Sequence, residues 1–254
     1  MTASGVMSVE IINADCRVVL GQMDDESVDC ILTDPPYGET SLAWDSWPDG
    51  WPALVRRVLK RSGSMWVFGS TRMFFDRSAE FVGWKLAQDV VWEKHNGSGL
   101  FADRFRRVHE MALQFYRDDA PWSGVFKAPQ FTLDATARTV RKKAKPSHWI
   151  GATGATTYTS EDGGPRLMRS VIHVRSEHGS AEHPTQKPFG IVAPLLAYSC
   201  PPGGLVLDPF AGSGTTGLCA KVAGQRAILI EASGEYAEVA RARIANDAPL
   251  FGAA

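Results

Sequence analysis

The chain has 254 residues, of which 44% are hydrophobic and 22% charged, and its formal net charge at pH 7 is −1. That size suits one large domain or a domain carrying an insertion, and the composition excludes wholesale disorder and fibrous structure. No run of about 18 apolar residues occurs, so no membrane-spanning helix is expected, and residues 1–15 lack the basic start and apolar run of a secretory signal.

In chain order, Val9–Ala14 and Val28–Thr33 predict short buried strands, with helical character in Arg17–Met23 between them. Trp51, Leu54, Val55 and Val58 recur at helical intervals. They predict a helix over Trp51–Lys60, closed by Gly63 ahead of a strand at Ser64–Phe68. A helix over Phe74–Val82 and strands at Ala87–Glu93 and Glu110–Tyr116 follow. From Arg117 to about Arg169 the pattern breaks down: Pro121, Pro129 and Pro146 interrupt it, and Gly151–Gly164 is rich in Gly, Thr and Ser. Residues 118–169 are therefore expected to form a loop-rich insertion in a single domain spanning 1–254. Order returns with a strand at Ser170–Val174 and a helix near Phe189–Tyr198. Strand Leu205–Asp208, helix Thr215–Val222, strand Arg226–Glu231 and helix Glu235–Asn246 complete the series. The alternation predicts an α/β fold.

Composition within segments adds to this. The four cysteines (Cys16, Cys30, Cys200, Cys219) include no CxxC pair. They are expected to be reduced thiols of a cytoplasmic protein, with neither a zinc site nor a disulfide framework. Residues 1–55 carry a net charge of −9, whereas residues 103–145 carry +5. That basic stretch suits either a phosphate-facing surface or an ordinary solvated loop.

Asp208 to Gly217 contains GxGxxG at Gly212, Gly214 and Gly217, after a strand and at the start of a helix, and Glu231 ends the next strand. This is the dinucleotide-binding pattern, in which glycines let the backbone approach a ligand and the acid can take ribose hydroxyls. Two features argue against a nicotinamide dinucleotide. A carboxylate at Asp208 would repel a pyrophosphate at the helix N-terminus. Only 37 residues follow Gly217, so the sheet must be completed by the N-terminal half, in circularly permuted order. The turn favours S-adenosylmethionine, whose amino group is cationic.

The second motif is Asp34-Pro35-Pro36-Tyr37, followed by Gly38. Asp34, Asp208 and Glu231 all fall at the carboxyl ends of predicted strands, where open parallel sheets collect ligand chemistry. Prolines lack N–H groups and stiffen the turn. A carboxylate beside a carbonyl matches the two hydrogens of an exocyclic NH₂, and Tyr37 offers a face for stacking a flipped base.

Together these segments resemble the DNA amino-methyltransferases, in the permuted group whose catalytic tetrad precedes the cofactor motif. The resemblance rests on Asn13-Ala-Asp-Cys16, Asp34–Gly38, His183-Pro-Thr-Gln-Lys-Pro188, and Asp208–Thr216 with Glu231. Val91-Trp-Glu-Lys94 and His109-Glu110 also sit where the family has similar residues. It implies a doubly wound, mostly parallel Rossmann-like sheet and S-adenosylmethionine as cofactor. Asp34 and the Pro35 carbonyl would bind the target amino group within a catalytic tetrad completed by Pro36 and Tyr37. Asp208, Phe210, Ala211, Gly212, Ser213, Gly214 and Thr215 would hold the methionine part of the cofactor. Glu231 would take the ribose, and Asp15 and Cys16 would lie near the adenine. Thr185 and Lys187 would help at the methionine end, although Lys187 alone reads more simply as a surface lysine ahead of a proline-capped helix.

The implied substrate is adenine N6 in double-stranded DNA, because the tetrad begins with Asp. Cytosine N4 is the alternative, with an RNA or protein-amide methyltransferase or a catalytically silent DNA-binding protein further behind. A C5-cytosine mechanism is disfavoured, since Cys200 precedes a proline and no cysteine follows one. Arg104, Arg106, Arg107, Arg138, Arg141, Lys142, Lys143 and Lys145 are the expected DNA contacts, and the protein is expected to be a monomer or homodimer.

Overall fold

The computed structural model describes residues 8–98, 102–142, 155–177 and 185–246. In chain order, β1 (Val9–Asn13), α1 (Cys16–Gln22) and β2 (Val28–Thr33) precede α2 (Trp51–Val58), β3 (Leu59–Gly69) and α3 (Thr71–Asp76). The long strands β4 (Trp84–Ser98) and β5 (Arg107–Arg117) come next. Four short strands follow: β6 (Phe131–Thr132), β7 (Arg138–Lys142), β8 (Thr156–Ser160) and β9 (Arg166–Leu167). The order continues with β10 (Val171–His173), α4 (Phe189–Ser199) and β11 (Leu205–Asp208), then α5 (Thr215–Val222), β12 (Arg226–Glu231) and α6 (Gly234–Asn246).

The chain divides into two compact units, one formed by residues 1–128 and 170–254, the other by Pro129–Arg169. In the first, eight strands among the described residues form one sheet in the order β1-β12-β11-β2-β3-β5-β4-β10. Every neighbouring pair is parallel except the two made by β5. The late strands β11 and β12 are thus inserted between the early strands β1 and β2. Side chains alternate between two apolar layers, as a strand covered on both faces requires. Cys30, Leu32, Trp66 and Phe68 pack with Ile191 and Leu196 of α4 and Cys219 of α5. Ile31, Met65 and Val67 pack on the other face with Leu20 of α1 and Trp51 and Val55 of α2. Among the described residues, the second unit contains two antiparallel pairs, β6 with β9 and β7 with β8. Among the described residues, no helix is long and apolar enough to cross a membrane.

Three local expectations are corrected. The helix expected over Trp51–Lys60 stops at Val58, because Leu59 turns extended to pair with Val28. Gly63 then lies inside β3, beside a register shift between Val28 and Cys30, where a Cβ would come within 2.6 Å of the Asp29 carbonyl. The expected helix over Phe74–Val82 is instead α3 and a 3-10 turn at Ser78–Phe81, broken by Arg77. Residues 118–128, assigned to the insertion from sequence, belong to the first unit: the Phe126 amide donates to the Ser62 carbonyl at 2.8 Å, and the Ala128 amide to that of Tyr198 at 2.8 Å.

Gly217, the last glycine of the motif, serves packing. A Cβ there would meet Leu229 Cδ1 at 2.5 Å, Ile244 Cδ1 at 2.9 Å and Val9 Cγ1 at 3.0 Å. Gly21 in α1 has nothing within 4 Å of the same position. In urea unfolding, Gly217→Ala is expected to lose about 1–3 kcal/mol by overpacking. Gly21→Ala is expected to gain roughly 0.5–1 kcal/mol from helix propensity. A Gly217→Ala protein as stable as the parent would show that α5 does not need this close approach.

Candidate active site

The two motifs meet through the sheet. β11 pairs directly with β2, Val206 beside Cys30 and Leu207 beside Ile31, so Asp34 and Asp208 leave neighbouring strands at the same edge. The Thr33 hydroxyl donates to Asp208 Oδ1 at 2.8 Å and ties one motif to the other. A cavity of about 1570 Å³ opens above this edge and is lined by both the Asp34–Tyr37 turn and the Pro209–Ser213 turn.

The glycine-rich turn is held from several sides. Gly212 and Gly214 have φ of +52° and +80°, a left-handed backbone that favours glycine. The Gly212 amide donates to Glu231 Oε2 at 2.8 Å, and the Ser233 amide to Glu231 Oε1 at 2.8 Å. Ser213 donates to Gln186 Oε1, and Arg243 Nη1 donates to Thr215 Oγ1, each at 2.8 Å. Burial raises the Glu231 carboxyl, against the backbone donors that favour its ionised form. Asp208 is 4% exposed. Its Oδ1 accepts from Thr33 and from the Phe210 amide at 3.1 Å, and its Oδ2 from Thr216 at 2.7 Å. Burial pushes its carboxyl up to about 6 despite these donors. The sequence reading gave Asp208 to the cofactor's cationic end; its acceptor positions are first of all taken by the protein, and it pins β2, β11 and α5 together.

At the other motif, Asp34 is braced on both carboxylate oxygens. The Tyr37 hydroxyl donates to Oδ1 and the Lys187 ammonium to Oδ2. Lys187 also lies 3.3 Å from Glu110 Oε2, and Lys94 pairs with Glu110 Oε1. These side chains are 8–19% exposed. Burial raises the Asp34 carboxyl and Glu110 adds to that, against the pull of Lys187. Burial would also raise Glu110, but Lys187 and Lys94 outweigh it and hold it down at about 2. Burial opposes the charge on Lys187, yet the two carboxylates win and its pKa is raised. Burial and the Asp34 charge keep Tyr37 protonated well above 10. Among the described residues no group donates to the Pro35 carbonyl.

The remaining expected residues are distributed as follows. Asp15 caps α1 through the Arg17 amide at 2.8 Å, and Cys16 is buried with its thiol pushed up to about 12; both line the cavity. All four cysteines are free thiols. Thr185 lines the cavity, and so does Lys187, which is buried and ion-paired rather than a surface lysine. Its ammonium stands on Asp34 and Glu110, beside the tetrad. Arg104, Arg106 and Arg107 line the cavity. Arg138 and Arg141 lie on β7 in the second unit, as does Lys142 by its backbone, whereas Lys143 and Lys145 are outside the described residues. Sequence reasoning noted Lys94 and Glu110 without giving them a role. Both are half-buried; charges within the apolar runs of β4 and β5 are the sign of this in the sequence, and pairing across strands is not legible there.

An α/β methyltransferase fold with this pair of turns defines the class. A family model described as DNA methylase, for N6 and N4 enzymes, matches residues 28–242, and the chain belongs to that family. The chain is 28% identical to the type II methyltransferase M.HinfI of Haemophilus influenzae, over 94% of this chain and 69% of that protein. It is also 28% identical to the type II methyltransferase M2.DpnII of Streptococcus pneumoniae, over 92% and 88%. Among solved structures, an M1.HpyAVI–SAM complex is similar with a TM-score of 0.61 and 26% identity, over 93% of this chain and 100% of that one. The cytosine-N4-specific PvuII DNA methyltransferase shares the fold, with a TM-score of 0.64 at 16% identity over 96% and 88%.

Asp208 gives a pH test. A carboxyl whose folded pKa rises from 3.8 to about 6 contributes stability that is complete below its unfolded pKa and is lost as pH climbs through the folded one. The displacement is worth roughly 3 kcal/mol. Asp208→Asn removes that loss. Its unfolding free energy relative to the parent is therefore expected to improve by up to about 3 kcal/mol between pH 4 and pH 7, measured by denaturant titration. A difference that stays flat over this range would mean that the buried carboxylate carries no such penalty.

Proposed function

We propose that the chain transfers a methyl group from S-adenosylmethionine to the N6 amine of a flipped adenine in double-stranded DNA. The observation that carries this reading is the single cavity shared by the Asp34–Tyr37 turn and the glycine-rich turn, with Thr33 bonded to Asp208 between them.

The residues present fit the cofactor. The Gly212 amide, which a pyrophosphate would need, is already bonded to the Glu231 carboxylate, and the part of the wall around the glycine-rich turn carries the acids Asp15, Asp208 and Glu231. Such a wall favours a cationic nucleoside over a phosphate ester. Glu231 retains acceptor capacity for ribose hydroxyls, because each carboxylate oxygen has two lone pairs. Phe210 to Thr215, with Thr185, would hold the methionine part, and Asp15 and Cys16 would lie toward the adenine. When bound, S-adenosylmethionine supplies an electrophilic methyl group on a sulfonium.

The amine of adenine is a weak nucleophile because its lone pair is delocalised into the ring. Asp34 and the Pro35 carbonyl would accept hydrogen bonds from its two N–H groups, localise the pair, and offset the positive charge that grows on nitrogen while the methyl group exchanges its bond to sulfur for one to nitrogen; the surplus proton of the amine would then pass to water. Pro36 stiffens the turn, the Tyr37 hydroxyl steadies Asp34, and the Tyr37 side chain, which lines the cavity, is assigned to stacking on the base. No covalent intermediate on the protein is needed, and orientation supplies much of the rate. Arg104, Arg106 and Arg107 at the cavity, and the basic stretch of the Pro129–Arg169 unit, are assigned to phosphate contact and target recognition. The protein works in the cytoplasm, where its duplex substrate lies.

The test is incubation with methyl-labelled S-adenosylmethionine and duplex DNA, RNA or protein in parallel. Label is expected only in DNA, released as N6-methyladenine on digestion; N4-methylcytosine would redirect the reading to cytosine. Asp34→Ala should reduce transfer at least a hundredfold, about 3 kcal/mol of transition-state stabilisation, while cofactor affinity stays within a few-fold. An active Asp34→Ala enzyme would remove the tetrad from the chemistry.

A further inference from the structure

Four alternately charged side chains from four separate segments meet at the tetrad. Asp34 follows β2, Lys187 precedes α4, Glu110 is on β5 and Lys94 on β4. Lys187 Nζ lies 5.4 Å from the centroid of the Phe68 ring, and Lys94 Nζ 4.6 Å from that of Trp92. Taking such charges out of water costs several kcal/mol each, and apolar groups of similar size often do as well for stability. Stability alone is therefore a poor reason for the chain. The geometry gives a better one, since the Lys187 ammonium touches the carboxylate that must accept the target amine.

We infer that Lys187 is a positioning residue that keeps Asp34 ionised and oriented toward the amine, and that Glu110 and Lys94 hold Lys187 in place. This inference rests on the proposed methyl transfer and assigns the site a component beyond the tetrad. The order of the ion pairs gives it direction. Lys187 is shared between two carboxylates, so Glu110 competes with Asp34 for the same ammonium. Lys94 relieves that competition by neutralising the far oxygen of Glu110. Groups facing Asp34 are the Tyr37 hydroxyl, Lys187 and Glu110, with Asp208 at longer range and Arg107 acting on Tyr37. Tyr37 remains a neutral donor throughout the working range. The charges that set the Asp34 equilibrium are accordingly those of Lys187 and Glu110, and they act in opposite senses.

The test is the acid limb of the single-turnover methylation rate, followed from pH 4.5 to 8 with labelled S-adenosylmethionine and duplex DNA. Lys187→Met should move the limb to higher pH by about one unit or more, as expected for the loss of an adjacent opposite charge. Glu110→Gln, which keeps the shape, should move it to lower pH. Lys187→Arg should restore most of the parent profile. Cofactor affinity should stay within about threefold in all three. Limbs that superimpose, or that move the same way in both variants, would overturn the inference. So would lost cofactor affinity with an unmoved limb, which would return Lys187 to the methionine end. If Lys187→Met does not fold, Glu110→Gln decides alone: an unmoved or upward limb overturns the inference. A parent protein that labels no DNA, or an active Asp34→Ala enzyme, sinks the methyl-transfer reading and this inference with it. When both controls hold, unmoved limbs sink this inference only.

Discussion

The hydrogen bond from Thr33 to Asp208 joins residues 175 positions apart and ties together the two strand ends that carry the site. β2 and β11 run parallel and adjacent, so their carboxyl ends open on one edge and their following turns face one cavity. Thr33 sits at the last position of β2 and Asp208 at the last of β11. Separating those strands would leave a buried carboxylate short of a donor, and the proline-rich turn would no longer face the glycine-rich one. Parallel strands cannot be joined by a tight hairpin. The chain meets this constraint by placing α1, α2, α4 and α5 in the connections, which covers both faces of the sheet and leaves its edge for the two turns.

Charge at that edge is managed by burial and pairing rather than by solvent. Asp208 is held by three donors and Glu231 braces two backbone amides. Asp34 is held between a hydroxyl and an ammonium. The acids therefore differ in environment although they share one cavity. Glu110 is held low by two lysines, whereas Asp34 and Asp208 are pushed up by loss of water. Only the acids with hydrogen-bond capacity toward the cavity can meet a ligand, and Asp208 spends most of its own on the fold.

The glycines divide in a similar way. Gly212 adopts a backbone that favours glycine at the cavity wall, where its amide meets Glu231. Gly214 combines a positive φ with close approach to α6, for a Cβ there would lie 3.0 Å from Ala240 Cβ. Gly217 lets α5 settle onto the sheet. A motif that reads as ligand binding is in large part a packing device, and the ligand site follows from the packing.

The sequence alone determined the strands Val28–Thr33, Leu205–Asp208 and Arg226–Glu231, their terminal acids, and the two turns, because strand periodicity and Gly or Pro punctuation act over a few residues. The order of the two turns along the chain, proline-rich first and glycine-rich second, is also read directly from it. It misplaced the start of β3, whose first residues are fixed by pairing with Val28, and it carried the insertion back to residue 118, although 118–128 bond to Ser62 and Tyr198. The Lys187–Glu110–Lys94 chain on Asp34 was beyond its reach. Which lysine finds which carboxylate depends on the order of strands in the sheet and on how far each group is withdrawn from water, and only tertiary structure decides those.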